Sequence, residues 1–329
     1  MAQLLNSVVG HQEKIQFLLQ AHQRGQLPHA FLFTGPAGVG KKTTALGLAQ
    51  VLLCEKKTGC GLCGSCLRVT QFVMAKKKDS QGTEALLLIE PEKNQIKIDQ
   101  AHQVLEFLQL KAFNTVRVII INDADRFNPQ AGNALLKVLE EPPENTFFFL
   151  IAPSPTQVLL TLRSRCQNVR FSPLSLEQMK ARSQAPEWAL RASLGSFERL
   201  EQLTDPDELE LRESAKAWLQ DWVSEPQGYL KSVHRDLVRD RQVARRLARH
   251  LSWLLRDTVY LKIGAWRKVL NVDQQSFLQD LAEKMPFEPL VQAGEKCLNL
   301  VQQIDQNRDA ALVFEQFWIE TRPCDNLHS

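Results

Sequence analysis

The sequence AFLFTGPAGVGKKTTALGLAQVLL, residues 30–53, decides the fold of this chain. Its first four residues are apolar and predict a short buried strand, and residues 44–53 have the apolar spacing of a helix. Between them lies a glycine loop of the form G-x-x-x-x-G-K. A strand, this loop and a helix in that order are typical of a P-loop, in which backbone N–H groups converge on a phosphate at the positive end of the helix. The residues expected in this cradle are Gly35, Gly38, Gly40, Lys41 and Thr43.

Lys42 stands where the P-loop pattern requires Ser or Thr. The hydroxyl at that position normally binds Mg²⁺. Thr43 is no simple substitute, because one step along a helix rotates the side chain by about 100°. We therefore expect a degenerate P-loop that lacks its metal ligand and binds ATP or ADP weakly or not at all.

Four of the seven cysteines lie close together in the sequence, in a C-x5-C-x2-C-x2-C pattern. They are Cys54, Cys60, Cys63 and Cys66. In a chain without secretory features such a cluster favours a metal site over disulfides, and the glycines between the cysteines permit tight turns. We expect one structural Zn²⁺, because four thiolates close its coordination shell and leave no position for catalysis. Free thiols or redox chemistry are the alternative.

Composition places the chain among globular proteins, with 329 residues, 44% hydrophobic residues and a net charge of +3. That charge is too small to indicate nucleic-acid binding by itself. Residues 1–7 do not resemble a signal peptide, and no apolar run reaches the roughly 18 residues needed to cross a bilayer. We therefore expect a cytoplasmic protein without membrane contact.

Further apolar strands alternate with helices along the first half of the chain. Strands are predicted at 85–89, 116–121, 146–151 and 168–171, with a helix from Ile98 to about Leu110. Asn128 and Pro129 begin another helix, which Pro142 and Pro143 end. This alternation predicts an α/β fold with a parallel sheet covered by helices on both faces.

Strand signals stop after Pro173, and the remaining pattern is helical. We predict three domains: an α/β P-loop domain at 1–172 with the cysteine module at 54–66, a small helical lid at 173–206, and an all-α domain at 207–329. One helix near residues 235–255 carries an apolar stripe and a face rich in arginine, which we interpret mainly as a solvated face. Lysines 76–78 are expected in an exposed loop.

Three features together resemble the clamp-loader subunits of the AAA+ family, most closely the delta-prime subunits of bacterial DNA polymerase III. The first is the P-loop followed at once by four cysteines. The others are GNALLKVLEEPP at 132–143 and LRSRC at 162–166. The resemblance is densest over residues 9–171, and NRDAAL at 307–312 is similar to the last-helix signature of the family's oligomerisation collar.

The resemblance implies a subunit that does not hydrolyse ATP. Motor subunits carry a Mg²⁺-binding acid and a water-activating Glu where this chain has Asn122 and Asp123. They carry a γ-phosphate sensor where this chain has Ala152-Pro153-Ser154. With Lys42 as well, several parts of the hydrolytic machinery differ. The expected role is that of a stator in DNA replication, with little or no ATPase activity and no polymerase activity.

The resemblance also implies partners and one catalytic residue. Arg165 would reach into the nucleotide site of a neighbouring subunit and act there in trans. The expected partners are gamma/tau-like motor subunits and a delta-like wrench subunit, with the sliding clamp and primed DNA contacted through the complex.

Three alternatives remain open from the sequence. The changes at Lys42 and Asn122 are also compatible with drift in an ATP-hydrolysing, gamma/tau-like motor subunit. The cysteine module would also suit a zinc-ribbon DNA-binding scaffold. Arg165 could be a surface arginine that caps a carbonyl.

Overall fold

A computed structural model of the chain describes residues 3–74, 82–109, 116–225 and 231–321. The chain divides into two compact units, one formed by 1–182 with 194–199 and the other by 183–193 with 200–329. Residues 173–206 are therefore shared between the units, and the three-domain division remains a prediction. Lysines 76–78 lie outside the described residues.

The described part of the first unit contains one parallel sheet of five strands in the order β2-β3-β4-β1-β5. The strands are β1 (Ala30–Thr34), β2 (Leu86–Ile89), β3 (Arg117–Ile121), β4 (Thr146–Ala152) and β5 (Gln167–Arg170). Four of them are apolar except for a terminal Thr34, Arg117 or Thr146, as expected for strands buried on both faces. Because all the strands are parallel, the residues that follow them meet at one edge of the sheet. The predicted α/β class with a parallel sheet is confirmed.

Helices cover both faces of this sheet. The helices of the first unit are α1 (Gln3–Asn6), α2 (Gln12–Gln23), α3 (Lys41–Leu53), α4 (Gly64–Met74), α5 (Ile98–Gln109), α6 (Pro129–Ala134), α7 (Leu136–Glu140), α8 (Leu160–Arg163) and α9 (Leu176–Lys180). One apolar cluster joins the sheet to α1–α4, and another joins its opposite face to α5–α8. P-loop helix α3 is therefore held firmly in place, with ten of its residues buried.

The helix predicted after Asn128 is interrupted. Asn128 Oδ1 accepts a hydrogen bond from the N–H of Ala131 at 2.7 Å and caps α6 as expected. At Leu135 the backbone N–H bonds to the carbonyl of Gly132, three residues back, and α7 begins one residue later. Both helices end before Pro142, as the sequence indicates.

The second unit is helical throughout its described residues. It contains α10 (Glu187–Ala192), most of α11 (Phe197–Leu203), α12 (Pro206–Ser224), α13 (Ser232–Leu237), α14 (Arg241–Lys262), α15 (Gln275–Lys284), α16 (Phe287–Asp305) and α17 (Ala310–Thr321). Its core includes residues Leu247, Leu251, Leu254 and Leu255 of the predicted stripe. The predicted helix of residues 235–255 is divided by a cap at Asp240 into α13 and α14.

The arginines of α14 are largely neutralised within the chain. Arg246 and Arg249 pair with Glu208 on α12, and Arg245 Nη2 lies 3.3 Å from Asp305 Oδ2. This face therefore offers fewer free positive charges than its sequence indicates. In the part of the chain that the structure describes, no helix is long and apolar enough to cross a membrane.

Candidate functional site

The P-loop has the geometry that its sequence predicts. β1 ends at Thr34, α3 begins at Lys41, and Gly40 caps the helix with a left-handed φ of 96°. Gly35 and Gly38 also have positive φ, at 145° and 68°. A residue with a Cβ would be strained at these positions, and glycine permits the tight curl of the loop.

The loop is closely covered by a distant segment of the same unit. A Cβ placed on Gly38 would lie 2.4 Å from Ser196 Oγ and 2.6 Å from the backbone nitrogen of Glu198. The N–H of Phe197 donates to the carbonyl of Gly38 at 3.0 Å. Sequence analysis missed this contact, because about 160 residues separate the two segments and neither carries a pairing signal. The cover leaves little room around the middle of the loop.

Lys41 is turned onto its own loop. Its ammonium group donates to the carbonyls of Gly35 and Pro36, each at 2.5 Å, and the residue is buried. Burial lowers the pKa of Lys41, and the carboxylates of Asp123, Glu198 and Asp125, in decreasing order, oppose the shift. The positive charge of Lys41, which was predicted to bind phosphate, is thus partly neutralised by these carboxylates. Thr43 lies in the first turn of α3 and is partly buried.

Lys42 has a partner that the sequence analysis did not identify. Its Nζ lies 2.8 Å from Glu90 Oε1, and Asn122 Nδ2 donates to the same oxygen at 3.4 Å. Glu90 follows β2 and Asn122 follows β3, so both stand at the carboxyl edge of the sheet beside the P-loop. Glu90 comes immediately after a buried parallel strand, and a carboxylate in that position was the sequence signal that could have identified it as a site residue. An ammonium–carboxylate–amide cluster therefore occupies the edge where a P-loop enzyme binds Mg²⁺.

The structure also shows the surroundings of Asp123 and Ser154, the other two positions at which the sequence differs from motor subunits. Asp123 has a left-handed φ of 52° and begins a short 3₁₀ turn at Ala124–Arg126. Burial raises its pKa, and nearby Asp125 and Glu90 add to that shift. Ser154 Oγ accepts a hydrogen bond from the N–H of Thr156 and caps the next turn, so its hydroxyl already has a structural role.

The four predicted cysteines do come together. Their sulfur atoms all lie within 4.8 Å of one another, and those of Cys54 and Cys63 are 3.9 Å apart. Ligands at the Zn–S length of about 2.3 Å in a tetrahedron are separated by roughly 3.8 Å, so small adjustments would enclose an ion. Left-handed φ angles at Gly59 and Gly61 make the turns, and α4 supplies Cys66. The cluster can hold a metal ion.

Backbone donors favour the thiolate form of Cys54 and Cys63, whereas burial raises the pKa of Cys66. Burial opposes ionisation of Cys54, but the N–H groups of Cys60, Thr58 and Lys56 outweigh it and lower the pKa of that thiol to about 5. The N–H groups of Cys66 and Glu55 lower the pKa of Cys63 in the same way. Since thiolates are the metal-binding form of cysteine, the loop is suited chemically as well as geometrically to a cation.

Arg165 lies in the turn between α8 and β5, on a different part of the first unit. Its side chain is 30% exposed and is paired with Glu140 at the end of α7, with Nε 2.7 Å from Glu140 Oε1. Nη1 donates to the carbonyl of Thr161 at 2.8 Å and to Ser164 Oγ at 3.2 Å. The carbonyl cap expected under the alternative interpretation is therefore present, and the trans role stays a prediction.

Comparison with known proteins identifies relatives of the chain. The model of the family described as "DNA polymerase III, delta subunit" matches residues 10–175, about half of the chain. DNA polymerase III subunit delta' of Escherichia coli is 32% identical over 278 residues, which cover 82% of this chain and 80% of that protein. The corresponding subunit of Pseudomonas aeruginosa is 37% identical over 147 residues, covering 44% of this chain and 43% of that protein.

A further relative is DNA polymerase III subunit tau of Escherichia coli, which is 31% identical over 184 residues. That match covers 54% of this chain but 27% of the tau protein. The match to the Escherichia coli delta' protein, in contrast, extends over most of both chains. The chain therefore belongs to the family of DNA polymerase III delta-prime subunits.

Proposed function

We propose that this chain is a clamp-loader stator that takes part in DNA replication without hydrolysing ATP. The cluster of Lys42, Glu90 and Asn122 carries this proposal. Phosphoryl transfer at a P-loop depends on Mg²⁺, which bridges the outer phosphates and neutralises developing charge. A lysine fixed at this edge by a carboxylate supplies a positive charge but no ligand for a metal ion.

The state of the cradle supports weak nucleotide binding or none. To bind here, a phosphate must replace two backbone carbonyls as the hydrogen-bond acceptor of Lys41. It must also displace the segment at Ser196–Glu198 or fit beneath it. The carboxylates that oppose the pKa shift of Lys41 would also repel a phosphate. Gly35, Gly38 and Gly40 nonetheless keep the curled backbone of a P-loop.

The stator would act through its partners. We propose that its C-terminal helices assemble with gamma/tau-like motor subunits and a delta-like wrench subunit in the cytoplasm. The complex would open a sliding clamp and place it on primed DNA. Arg165 would complete the nucleotide site of the adjacent motor subunit, because a guanidinium matches phosphate geometry and carries a permanent charge. One Zn²⁺ on the four cysteines would stabilise the loop after α3.

Two other functions have weaker support. The tau relative and the preserved glycine loop favour a motor subunit, but Lys42 and its pairing count against it. A zinc-ribbon DNA-binding scaffold would need free positive charge, and several arginines of α14 are used in ion pairs within the chain. DNA affinity with a steep salt dependence would support that function instead.

The first test is ATP turnover by the purified chain alone. We expect Mg²⁺-dependent turnover to equal the background measured with a Lys41→Ala variant, because the metal ligand and the water-activating acid are both altered. Robust turnover that Lys41→Ala abolishes would identify a motor subunit and contradict the stator proposal.

The trans role is tested in the same assay on a reconstituted complex. Arg165→Ala should lower DNA-stimulated ATP hydrolysis, whereas Arg165→Lys should restore it only partly, since lysine keeps the charge but loses the bidentate fork. A single trans arginine contributes about 10³–10⁵ in rate in well-studied hydrolases, but sites completed by other subunits would make the observed loss much smaller. Arg163→Ala is the control on the same segment, and unchanged activity of Arg165→Ala would leave the chain a scaffold only.

A further inference from the structure

Arg165 and Glu140 form a contact that bears on how the trans arginine is controlled. A guanidinium has five N–H donors. The described contacts engage all three of its nitrogens: Nε and Nη2 contact Glu140, and Nη1 contacts Thr161 and Ser164. In this conformation the side chain is therefore committed to its own chain.

Binding a phosphate oxygen pair requires two parallel N–H groups. Either pair of neighbouring nitrogens, Nε with Nη2 or Nη1 with Nη2, is already engaged within the chain, so a phosphate that binds such a pair must compete with these contacts. The Glu140 carboxylate would also lie beside the incoming phosphate and repel it. The carboxylate and the phosphate thus compete for the same guanidinium.

We propose that Glu140 is a latch that holds Arg165 on its own chain until the nucleotide of a neighbouring subunit displaces it. This inference rests on the proposed trans role of Arg165. Glu140 is a positioning residue in this scheme, since it acts through Arg165 and does not touch the nucleotide. Its effect is to raise the nucleotide concentration at which the neighbouring site becomes complete.

The exposure of the pair makes the latch reversible. The two side chains are 30% and 49% exposed, and ion pairs in such surroundings are weak because water screens them. A triphosphate carries several negative charges and can outcompete one carboxylate. A fully buried pair would instead hold the arginine too tightly for release.

The backbone around Glu140 does not depend on this ion pair. Leu139 is buried in the core of the first unit, and its carbonyl lies 2.9 Å from His29 Nε2. Neutralising the carboxylate should therefore leave the fold unchanged. Glu141 provides a matched control, because it is the next residue, is also exposed and has the same charge.

The experiment measures steady-state ATP hydrolysis by the reconstituted complex with Glu140→Gln, with Glu141→Gln and with wild type. Each form is also combined with Arg165→Ala. We expect Glu140→Gln to lower the KM for ATP about two- to fivefold, in line with the upper range for an exposed ion pair, and to leave kcat nearly unchanged. Glu141→Gln should match wild type, and in the Arg165→Ala background Glu140→Gln should have no effect.

The outcomes separate the two proposals. If Arg165→Ala leaves hydrolysis unchanged, the trans role is wrong. If Arg165→Ala lowers hydrolysis but Glu140→Gln behaves like Glu141→Gln, only the latch is wrong. A lower kcat in Glu140→Gln would show that the carboxylate supports the active arginine. An effect of Glu140→Gln that persists in the Arg165→Ala background would show that Glu140 acts by another route. Either result would overturn the latch.

Discussion

Glu208 on α12 shows how a single buried carboxylate can organise charges from another helix. It is 3% exposed and contacts three residues of α14, namely Arg246, Arg249 and His250. Burial works to raise the pKa of Glu208, but His250 and Arg249 outweigh it and lower that pKa to about 2. Burial lowers the pKa of His250. At neutral pH Glu208 is therefore ionised, and the lowered pKa of His250 favours its neutral form.

Acid should weaken the second unit through both groups. Each has a folded pKa below its unfolded value, so the unfolded chain binds more protons and stability rises with pH. We expect the free energy of unfolding to fall below about pH 6.5 as His250 becomes protonated in the unfolded chain, and to fall further between pH 4.5 and about 2 through Glu208. Urea unfolding at a series of pH values measures this dependence.

The Glu208→Gln variant isolates the contribution of the carboxylate. At pH 7 it should lose about 2–3 kcal/mol, less than a fully buried pair, because Arg246 and Arg249 are about one-third exposed and can be hydrated. Its pH dependence below 4.5 should flatten. Glu210→Gln, an exposed change on the same helix, should have no comparable effect, and an equal loss in both variants would contradict this role of Glu208.

At the scale of elements, the cysteine module joins the end of α3 to α4 through a short loop. Cys54 directly follows α3 and Cys66 lies on α4, so a bound ion would tie two helices together. We expect about one zinc per chain in protein purified without chelator, and much less in Cys63→Ser, which removes one of four ligands. Cys166→Ser is a control outside the cluster, and a metal-free wild type with four freely titrating thiols would contradict the zinc proposal.

The elements were predictable where burial alone decides them. Runs such as Ile119–Ile121 are apolar at every position because both faces of the sheet are covered, and β3 appeared where that run indicated. The interruption at Leu135 was not predictable, since the helical pattern of residues 129–141 continues through it. It depends on a local change of hydrogen bonding that apolar spacing does not record.

The candidate site was predictable only in part. Features formed by residues close together in the chain were predictable, whereas contacts between residues far apart in the chain were not. The loop glycines and the four cysteines are local patterns, and their positions follow from spacing. Contacts such as Arg165 with Glu140, 25 residues apart, or Gly38 with Glu198 depend on how separate elements pack. Such pairings are fixed by tertiary structure, and a single sequence carries no local signal for them.

At the scale of the whole molecule, the tryptophans are distributed unevenly. All six lie in the second unit, at positions 188, 218, 222, 253, 266 and 318. Three of them, Trp218, Trp222 and Trp318, are fully buried in its helical core. Tryptophan fluorescence therefore reports on this unit alone, whereas far-ultraviolet circular dichroism reports on the helices of both.

The two units have separate cores, so damage to one should be visible separately. We expect Cys63→Ser to shift part of the denaturation curve measured by circular dichroism and to leave the fluorescence midpoint in place, because a zinc site stabilises mainly its own surroundings in a chain with a large core. Glu208→Gln changes the second unit and should therefore shift the fluorescence midpoint. Equal shifts of both signals in both variants would show that the chain unfolds as one cooperative unit, and the two apolar cores could then not be treated as independent.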